Sequence, residues 1–295
     1  MKKIILVGGS GFIGKPLLQK LVKEQFQVKT MIHNDDLDTK TPTFKGDILS
    51  SGILDDEISR GDIIVNLIGQ TNSDIRDLIE LSVMGSLNLL NSCIKKKVKM
   101  IILISSINVY CENMNTPSKE IDSLRPQTTY GILKMMIEKI YEYYSKVYGL
   151  NITILRLSHV YGPYKKAGIV SNLINPIKHN KNVILNDKGR QFRDFLYVDD
   201  ATNGIIQAIK IPQEGFNILN ISSGKKYMIN DLVKTIEKIT HKKMNVKLNP
   251  KILDERCVWA DNSKAKKIIK FKPQIDIERG LKLTMNISQK QTERI

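Results

Sequence analysis

The sequence predicts a doubly wound α/β fold, and three observations predict it. Short β-branched apolar runs alternate with longer helical patterns through the first half of the chain. A glycine-rich turn follows the first run and opens the first helix. The runs are continuously apolar rather than alternating, as parallel strands covered on both faces must be. Residues 3–7 read as the first strand, 12–24 as a helix and 27–32 as the second strand. Residues 63–68 read as a strand, 74–96 as helical, 100–105 as a strand, 129–148 as a long helix and 151–157 as a strand. A sheet of this kind binds ligands at the carboxyl ends of its strands. Beyond about residue 160, turn signals at Gly162-Pro163, Asn186-Asp187-Lys188-Gly189 and Ser222-Ser223-Gly224 separate shorter elements. The expected division is residues 1–160, with returning segments near 192–220, and a smaller, irregular α/β domain for substrate over 161–295. The polar tail, 288–295, is expected to fray.

The 295 residues suffice for one large domain or two modest ones, and 41% hydrophobic with 26% charged residues is ordinary for a soluble globular chain. No run approaches the roughly 20 apolar residues of a membrane span, and the run at 4–7 is too short for an export segment, so the expectation is a cytoplasmic protein. Cys93, Cys111 and Cys257 and the histidines His33, His159, His179 and His241 are scattered without ligand spacing, which argues against a metal. The net charge of +16 is compatible with nucleic acid, an acidic membrane surface or a polyanionic small substrate. Its lysines are dispersed, with short clusters at 95–97, 165–166 and 264–267 and no interleaved aromatics, so they read as a solvated surface rather than a nucleic-acid platform.

Gly8-Gly9-Ser10-Gly11-Phe12-Ile13-Gly14 stands between the first strand and the first helix. Missing side chains at Gly8, Gly11 and Gly14 let the backbone turn and approach a pyrophosphate, while the helix N-terminus offers oriented N–H groups around Phe12 and Ile13. The same stretch nearly matches a mononucleotide P-loop, but Pro16 follows Lys15 where that motif needs a magnesium-holding hydroxyl. The loop is therefore read as holding a dinucleotide. The second strand ends Met31-Ile32-His33-Asn34, without the acid that bonds the ribose hydroxyls of NAD; Asp35 and Asp36 come late. His33 could pair with a 2′-phosphate or stand as a surface residue, which leaves NAD and NADP both open.

Tyr130 and Lys134 are four apart on one face of the long helix. An ammonium beside a phenol favours the phenolate, so the expectation is a Tyr130 pKa below its usual value of about 10 and a role as general acid or base. Ser106, after the strand at 100–105, can bond the same substrate oxygen. A Tyr-x-x-x-Lys pair is common in helices; its place after the glycine loop singles this one out.

These segments, with Gly46-Asp47-Ile48, Ser105-Ser106-Ile107-Asn108-Val109-Tyr110, Tyr130-Gly131-Ile132-Leu133-Lys134, Leu155-Arg156-Leu157-Ser158-His159-Val160-Tyr161-Gly162-Pro163 and Arg193-Asp194-Phe195-Leu196-Tyr197-Val198-Asp199-Asp200 in order, make the chain resemble the extended short-chain dehydrogenase/reductases. The resemblance is to their NAD-dependent nucleotide-sugar epimerase/dehydratase group, over roughly residues 3–285. It implies a Rossmann sheet with Asp47 and Ile48 at the adenine, and with Leu67, Ile68 and Gly69, after Asn66, along the cofactor. It implies Ser106, Tyr130 and Lys134 as the catalytic set, Lys134 also holding the nicotinamide ribose. Arg193 and Arg256 would grip the substrate diphosphate, as guanidinium groups can, and Asn108 and His159 fall at substrate-contacting positions. Read without the resemblance, Asp47 also suits a turn and Arg193 a surface ion pair. The group's homodimers imply pairing through 74–96 and 129–148.

Departures narrow the chemistry. Dehydratases of the group carry an acidic pair where Ile107 and Asn108 stand, and neither residue transfers protons, so dehydration is not expected. His159 replaces the usual Asn, and Asn66 a more common His. The leading expectation is C4 epimerisation of a nucleotide-linked sugar through a transient 4-keto intermediate, with Tyr130 as acid and base. An NADPH-dependent reductase of a nucleotide-linked 4-keto sugar stays open. From another class, a non-catalytic dinucleotide- or RNA-binding protein is motivated by the charge of +16 and opposed by the intact Ser106, Tyr130 and Lys134 set.

Overall fold

The apolar runs fold as the central strands of one parallel sheet. In the computed structural model, which describes residues 3–33, 41–69, 74–111, 115–165, 167–178, 182–186, 189–249 and 257–292, seven strands make this sheet. They lie in the order β3 (Thr43–Lys45), β2 (Val28–Ile32), β1 (Ile4–Val7), β4 (Ile63–Asn66), β5 (Met100–Ser106), β6 (Ile152–Leu157) and β11 (Phe216–Ile221). Every neighbouring pair is parallel. The order runs outward in both directions from β1 and β4, so the crevice between their carboxyl ends is the switch point where such sheets bind ligands.

Successive strand residues face opposite sides. Ile4 and Leu6 enter one core and Ile5 and Val7 the other, and β4 and β5 divide in the same way. The first face is covered by α1 (Gly14–Lys23) and α6 (Val198–Lys210), through Leu17, Leu21, Ile205 and Ile209. The second is covered by α3 (Gly85–Lys96) and α4 (Thr129–Tyr148), through Leu89, Leu90, Ile137 and Tyr141. Each fully buried aliphatic side chain stabilises the fold by about 1.5–3 kcal/mol relative to exposure.

The strands and helices expected up to residue 157 occur in the expected order. Two features differ. The stretch 74–96 is not one helix: α2 (Ile75–Ile79) passes into a π-turn at Glu80–Met84 before α3 begins. Strand β3 has three residues with Phe44 alone buried, too little apolar pattern to register in the sequence.

After β6 the chain builds a smaller, irregular α/β part from three two-stranded ribbons. β7 (His159–Tyr161) pairs with β10 (Phe195–Tyr197), β9 (Phe192–Arg193) with β12 (Tyr227–Met228), and β8 (Val183–Asn186) with β13 (Val246–Asn249). Helices α5 (Ile169–Lys178), α7 (Ile229–Thr240), α8 (Ser263–Ile269) and α9 (Ile277–Thr292) complete it. Between these ribbons, α6 and β11 return to the main sheet.

Asp194, between β9 and β10, fastens these ribbons. Its wholly buried carboxylate accepts from Ser223 N at 2.9 Å, Ser223 Oγ at 2.7 Å, and Gly224 N and Ala260 N at 3.3 Å each. Asp194→Ala leaves one buried and three half-buried donors without their acceptor and should lower unfolding free energy by about 2–4 kcal/mol. Urea denaturation of the variant against the parent measures it; a loss below about 1 kcal/mol would show that the clasp is dispensable.

Candidate active site

The loop after β1 turns at Gly8, whose φ of +87° suits glycine. Gly11 N donates to Gly8 O at 3.3 Å, and α1 starts at Gly14 without a side-chain cap on its N-terminus. A Cβ on Gly14 would lie 2.5 Å from the carbonyl oxygens of both Gly8 and Gly9, so the loop folds flat on the first turn of α1. A Cβ on Gly8 would meet Leu67 C at 3.3 Å and Ile68 N at 3.4 Å across the switch crevice. Uncapped N–H groups beside a glycine-rich loop fit a dinucleotide pyrophosphate. Phe12 and Ile13 are half-buried against the core beneath the loop.

His33 is exposed at the end of β2, and Asn34, Asp35 and Asp36 lie outside the described residues. Asp47 caps its own turn, Oδ1 accepting from Leu49 N at 2.9 Å. The Ile48 side chain is buried in the core shared with α3 and α4, and its carbonyl accepts from Asn88 Nδ2 at 3.0 Å.

Helix α4 brings Tyr130 and Lys134 to the same crevice. The Thr128 hydroxyl accepts from Gly131 N at 3.0 Å and starts the helix; Gly149, at φ +66°, ends it. A Cβ on Gly131 would lie 2.3 Å from Asn108 O, so the start of α4 presses directly on the turn Ile107–Val109 that follows Ser106. Lys134 Nζ donates to Ile68 O at 3.0 Å and Ile104 O at 2.9 Å. A Cβ on Gly69 would stand 2.8 Å from Lys134 Nζ and 3.9 Å from the Tyr130 hydroxyl. Gly69, Tyr130 and Lys134 therefore converge, with Ser106 at the end of β5 accepting from Asn108 N at 3.2 Å. Asn66 ties the loop after β4 to the same helix: its Oδ1 accepts from Ile68 N at 3.0 Å, and its amide donates to Tyr141 OH at 2.8 Å.

The electrostatics correct one expectation. Lys134 Nζ lies 5.8 Å from the Tyr130 ring centre, yet burial pushes the Tyr130 phenol up to about 12 instead of below its usual value. Burial also lowers Lys134 to about 8, against the opposing charge of Glu138. At neutral pH the ammonium is charged and the phenol keeps its proton, because desolvation outweighs the lysine's pull.

Of the residues expected to meet substrate, His159 is half-buried in β7 and its N–H donates to Asp194 O at 2.9 Å. Arg193 is 5% exposed in β9, with Nη1 on the Phe192 carbonyl at 2.8 Å, so it stands in the interior and not on the surface. Asn108 is half-buried beside Gly131. Arg256 lies outside the described residues. Among the described residues no group of His, Cys, Asp and Glu could hold a metal ion.

A polar network behind α4 has no counterpart in the sequence expectations. Glu138, one turn after Lys134, takes Arg156 Nε at 3.1 Å and Nη2 at 2.6 Å, and accepts from Ser105 Oγ at 2.5 Å. Arg156 Nη1 donates to Tyr110 OH at 2.8 Å, and Tyr110 donates to Asn220 Oδ1 at 2.8 Å. The available signals were an arginine inside an apolar strand and a glutamate at helical spacing from Lys134.

Comparison with known proteins gives a consistent picture. The NAD dependent epimerase/dehydratase family matches residues 4–222. A putative UDP-glucose 4-epimerase of Methanocaldococcus jannaschii is 29% identical over 96% of this chain and 97% of its own. The UDP-glucuronate 4-epimerase of Thermodesulfobacterium geofontis is 32% identical over 74% of this chain and 68% of its own. Among solved structures, the UDP-glucuronic acid 4-epimerase of Bacillus cereus, in complex with UDP-glucuronic acid and NAD, superposes with a TM-score of 0.89 at 25% identity, covering 98% of this chain and 99% of that one.

The depressed Lys134 makes stability depend on pH. Unfolded, the lysine titrates near 10.5; folded, it titrates at about 8. Between these values the unfolded chain holds more protons, so stability rises with pH. From pH 8 to 10 the parent should gain about 2 kcal/mol over Lys134→Met in unfolding free energy. Parallel pH dependences for the two proteins would show that Lys134 is not depressed.

Proposed function

The chain belongs to the NAD dependent epimerase/dehydratase family, and from that premise we propose that it inverts C4 of a UDP-linked sugar with NAD as cofactor. The observation that carries the reading is the convergence of the Tyr130 hydroxyl and Lys134 Nζ on Gly69 at the switch crevice, across from the Gly8 turn. Family membership and the 4-epimerase relatives support the same chemistry. NAD is favoured over NADP by the NAD of the Bacillus cereus complex.

The glycine loop at 8–14 and the N-terminus of α1 would hold the pyrophosphate. Asp47 and Ile48 would meet the adenine, His33 its ribose, and Leu67, Ile68 and Gly69 the rest of the cofactor. NAD, when bound there, would supply a reversible hydride acceptor for C4. Ser106 would hold the C4 oxygen by hydrogen bonding, and Tyr130 would take that hydroxyl's proton and give it back to the opposite face. Lys134, fixed by the Ile68 and Ile104 carbonyls, keeps positive charge beside the phenol and would bond the ribose hydroxyls. Asn108, His159, Arg193 and Arg256 would bind the nucleotide-sugar, its diphosphate on the arginines. Arg193 and Arg256 belong to the substrate-facing part of the chain, residues 161–295 apart from α6 and β11, while His159 starts β7 just before it and Asn108 lies in the turn after Ser106. Ile107 is buried in a small apolar cluster and Asn108 carries an amide, so neither can move the protons of a dehydration.

We further propose a cytoplasmic homodimer. No disulfide joins Cys93, Cys111 or Cys257, which suits a reducing compartment. The outward sides of the α2–α3 segment and α4 expose Ile75, Ile79 and Met84 together with Ile132, Met136, Tyr143 and Val147, an apolar surface of the kind that pairs.

The test of activity is incubation with UDP-glucuronic acid or UDP-glucose and NAD, with products separated by chromatography. The expected product is the C4 epimer with no net change in NADH. Net oxidation of NADPH, or loss of carbon dioxide or water from the sugar, would overturn the reading. Tyr130→Phe should lower kcat by about 10²–10⁴-fold with cofactor affinity retained. Charges placed on the helix face, as in Met136→Asp with Tyr143→Asp, should give a monomer by light scattering; a parent that is already monomeric would sink the dimer.

A further inference from the structure

We infer that Glu138 is a positioning residue, held by Arg156 and Ser105, that fixes Lys134 and the α4 helix against the strand carrying Ser106. The inference rests on the catalytic reading of Ser106, Tyr130 and Lys134 given above. It adds a residue that touches neither cofactor nor substrate.

The argument is one of register. Lys134 and Glu138 are a helical turn apart on the buried face of α4. They engage consecutive residues of β5: the Lys134 ammonium donates to Ile104 O, and the Glu138 carboxylate accepts from Ser105 Oγ. The next residue is Ser106. A shift of α4 along β5 by one residue would break both bonds and carry Tyr130 off its place beside Gly69. Glu138 is itself fixed from the far side, since Arg156 of β6 binds both its oxygens. Ser105 and Arg156 are direct neighbours in the parallel register, so the clamp is built across one row of the sheet.

Charge supports the same role. On α4 the titratable groups facing Lys134 are Tyr130 and Glu138, with Tyr141 a further turn on. The loop after β4 and strand β5 present carbonyls, and Arg156 of β6 lies behind Glu138. Glu138 thus supplies the negative charge that opposes the desolvation of the ammonium. An i,i+4 carboxylate with 2% residue exposure acts at close range with little screening.

The decisive measurement is the titration of the Lys134 ammonium by 1H–15N correlation spectroscopy on protein labelled with 15N-lysine, the signal assigned by its loss in Lys134→Met. In Glu138→Gln the midpoint should fall by about one pH unit. A midpoint within about 0.2 units of the parent, in a folded variant, would overturn the inference. Glu138→Gln leaves Arg156 buried and unpaired, and such proteins can fail to fold. Glu138→Gln with Arg156→Met removes both charges and should still lower the midpoint, by about half as much, because Glu138 is the nearer charge; an unchanged midpoint there overturns the inference equally. In turnover of UDP-glucuronic acid or UDP-glucose, the double variant should lose roughly tenfold or more in kcat with KM unchanged, and Tyr130→Phe should mask that loss. A rise in KM alone would assign the pair to substrate binding instead. If the parent turns over neither sugar nucleotide, the functional reading fails while the titration still decides the role of Glu138.

Discussion

The structure depends on a row of polar side chains laid across the middle of an apolar sheet. Ser105 of β5, Arg156 of β6 and Asn220 of β11 are consecutive partners in the parallel register. All three are buried. An arginine in such a place is strongly destabilising unless its charge and its donors are matched. They are matched here by Glu138 from the helix above, by Tyr110, and through Tyr110 by Asn220, whose amide donates to Ser118 O at 3.0 Å and Asp261 O at 3.1 Å. The ion pair therefore adds little net stability over an apolar core of the same shape. What it adds is uniqueness, because sliding β6 or α4 by one residue would leave a buried charge alone, and sliding β5 or β11 would break a buried neutral hydrogen bond.

That fixed register passes to the ligand-facing end of the sheet. Strands β1 and β4 end side by side, so the Gly8 turn, whose positive φ suits glycine, packs on Leu67 and Ile68 across the crevice, and a Cβ at Gly69 would press on Lys134 Nζ. Helix α4 has a single seating: Lys134 and Glu138 fix its height on β5, and Gly131 lets its first turn touch the Asn108 carbonyl. The small ribbons of the second half are joined to the same row, since Asp261 follows Ala260, whose N–H donates to Asp194. Main sheet, helix α4 and the ribbon carrying Arg193 are thus linked by one chain of hydrogen bonds.

Much of this was legible in the sequence, for reasons that particular residues show. Parallel strands are buried on both faces, so Ile4, Ile5, Leu6 and Val7 stand out as an unbroken apolar run. The glycine loop is legible because only one residue type permits that turn and approach. Tyr130 and Lys134 are legible because helical spacing alone puts them on one face. Strand β3 was not legible, because three residues with one buried Phe44 carry no period. The break at Glu80–Met84 was not, because a π-turn preserves the apolar side of the stretch while changing its winding. The buried row was not, because what marks Arg156 as interior is a partner 18 residues away in sequence and on another element.

The direction of the Tyr130 shift shows where spacing ends and environment begins. Two residues four apart suggest an ammonium lowering the pKa of a phenol, and in water that inference would hold. In the crevice the same enclosure that brings them together removes the solvent each needs for its charge, and both move toward neutrality. At pH 7 only the lysine bears charge, and Glu138 helps it do so. The phenol therefore holds its proton in the free protein, and its work as a base requires a bound ligand to shift that balance, which neither helical spacing nor Lys134 alone supplies.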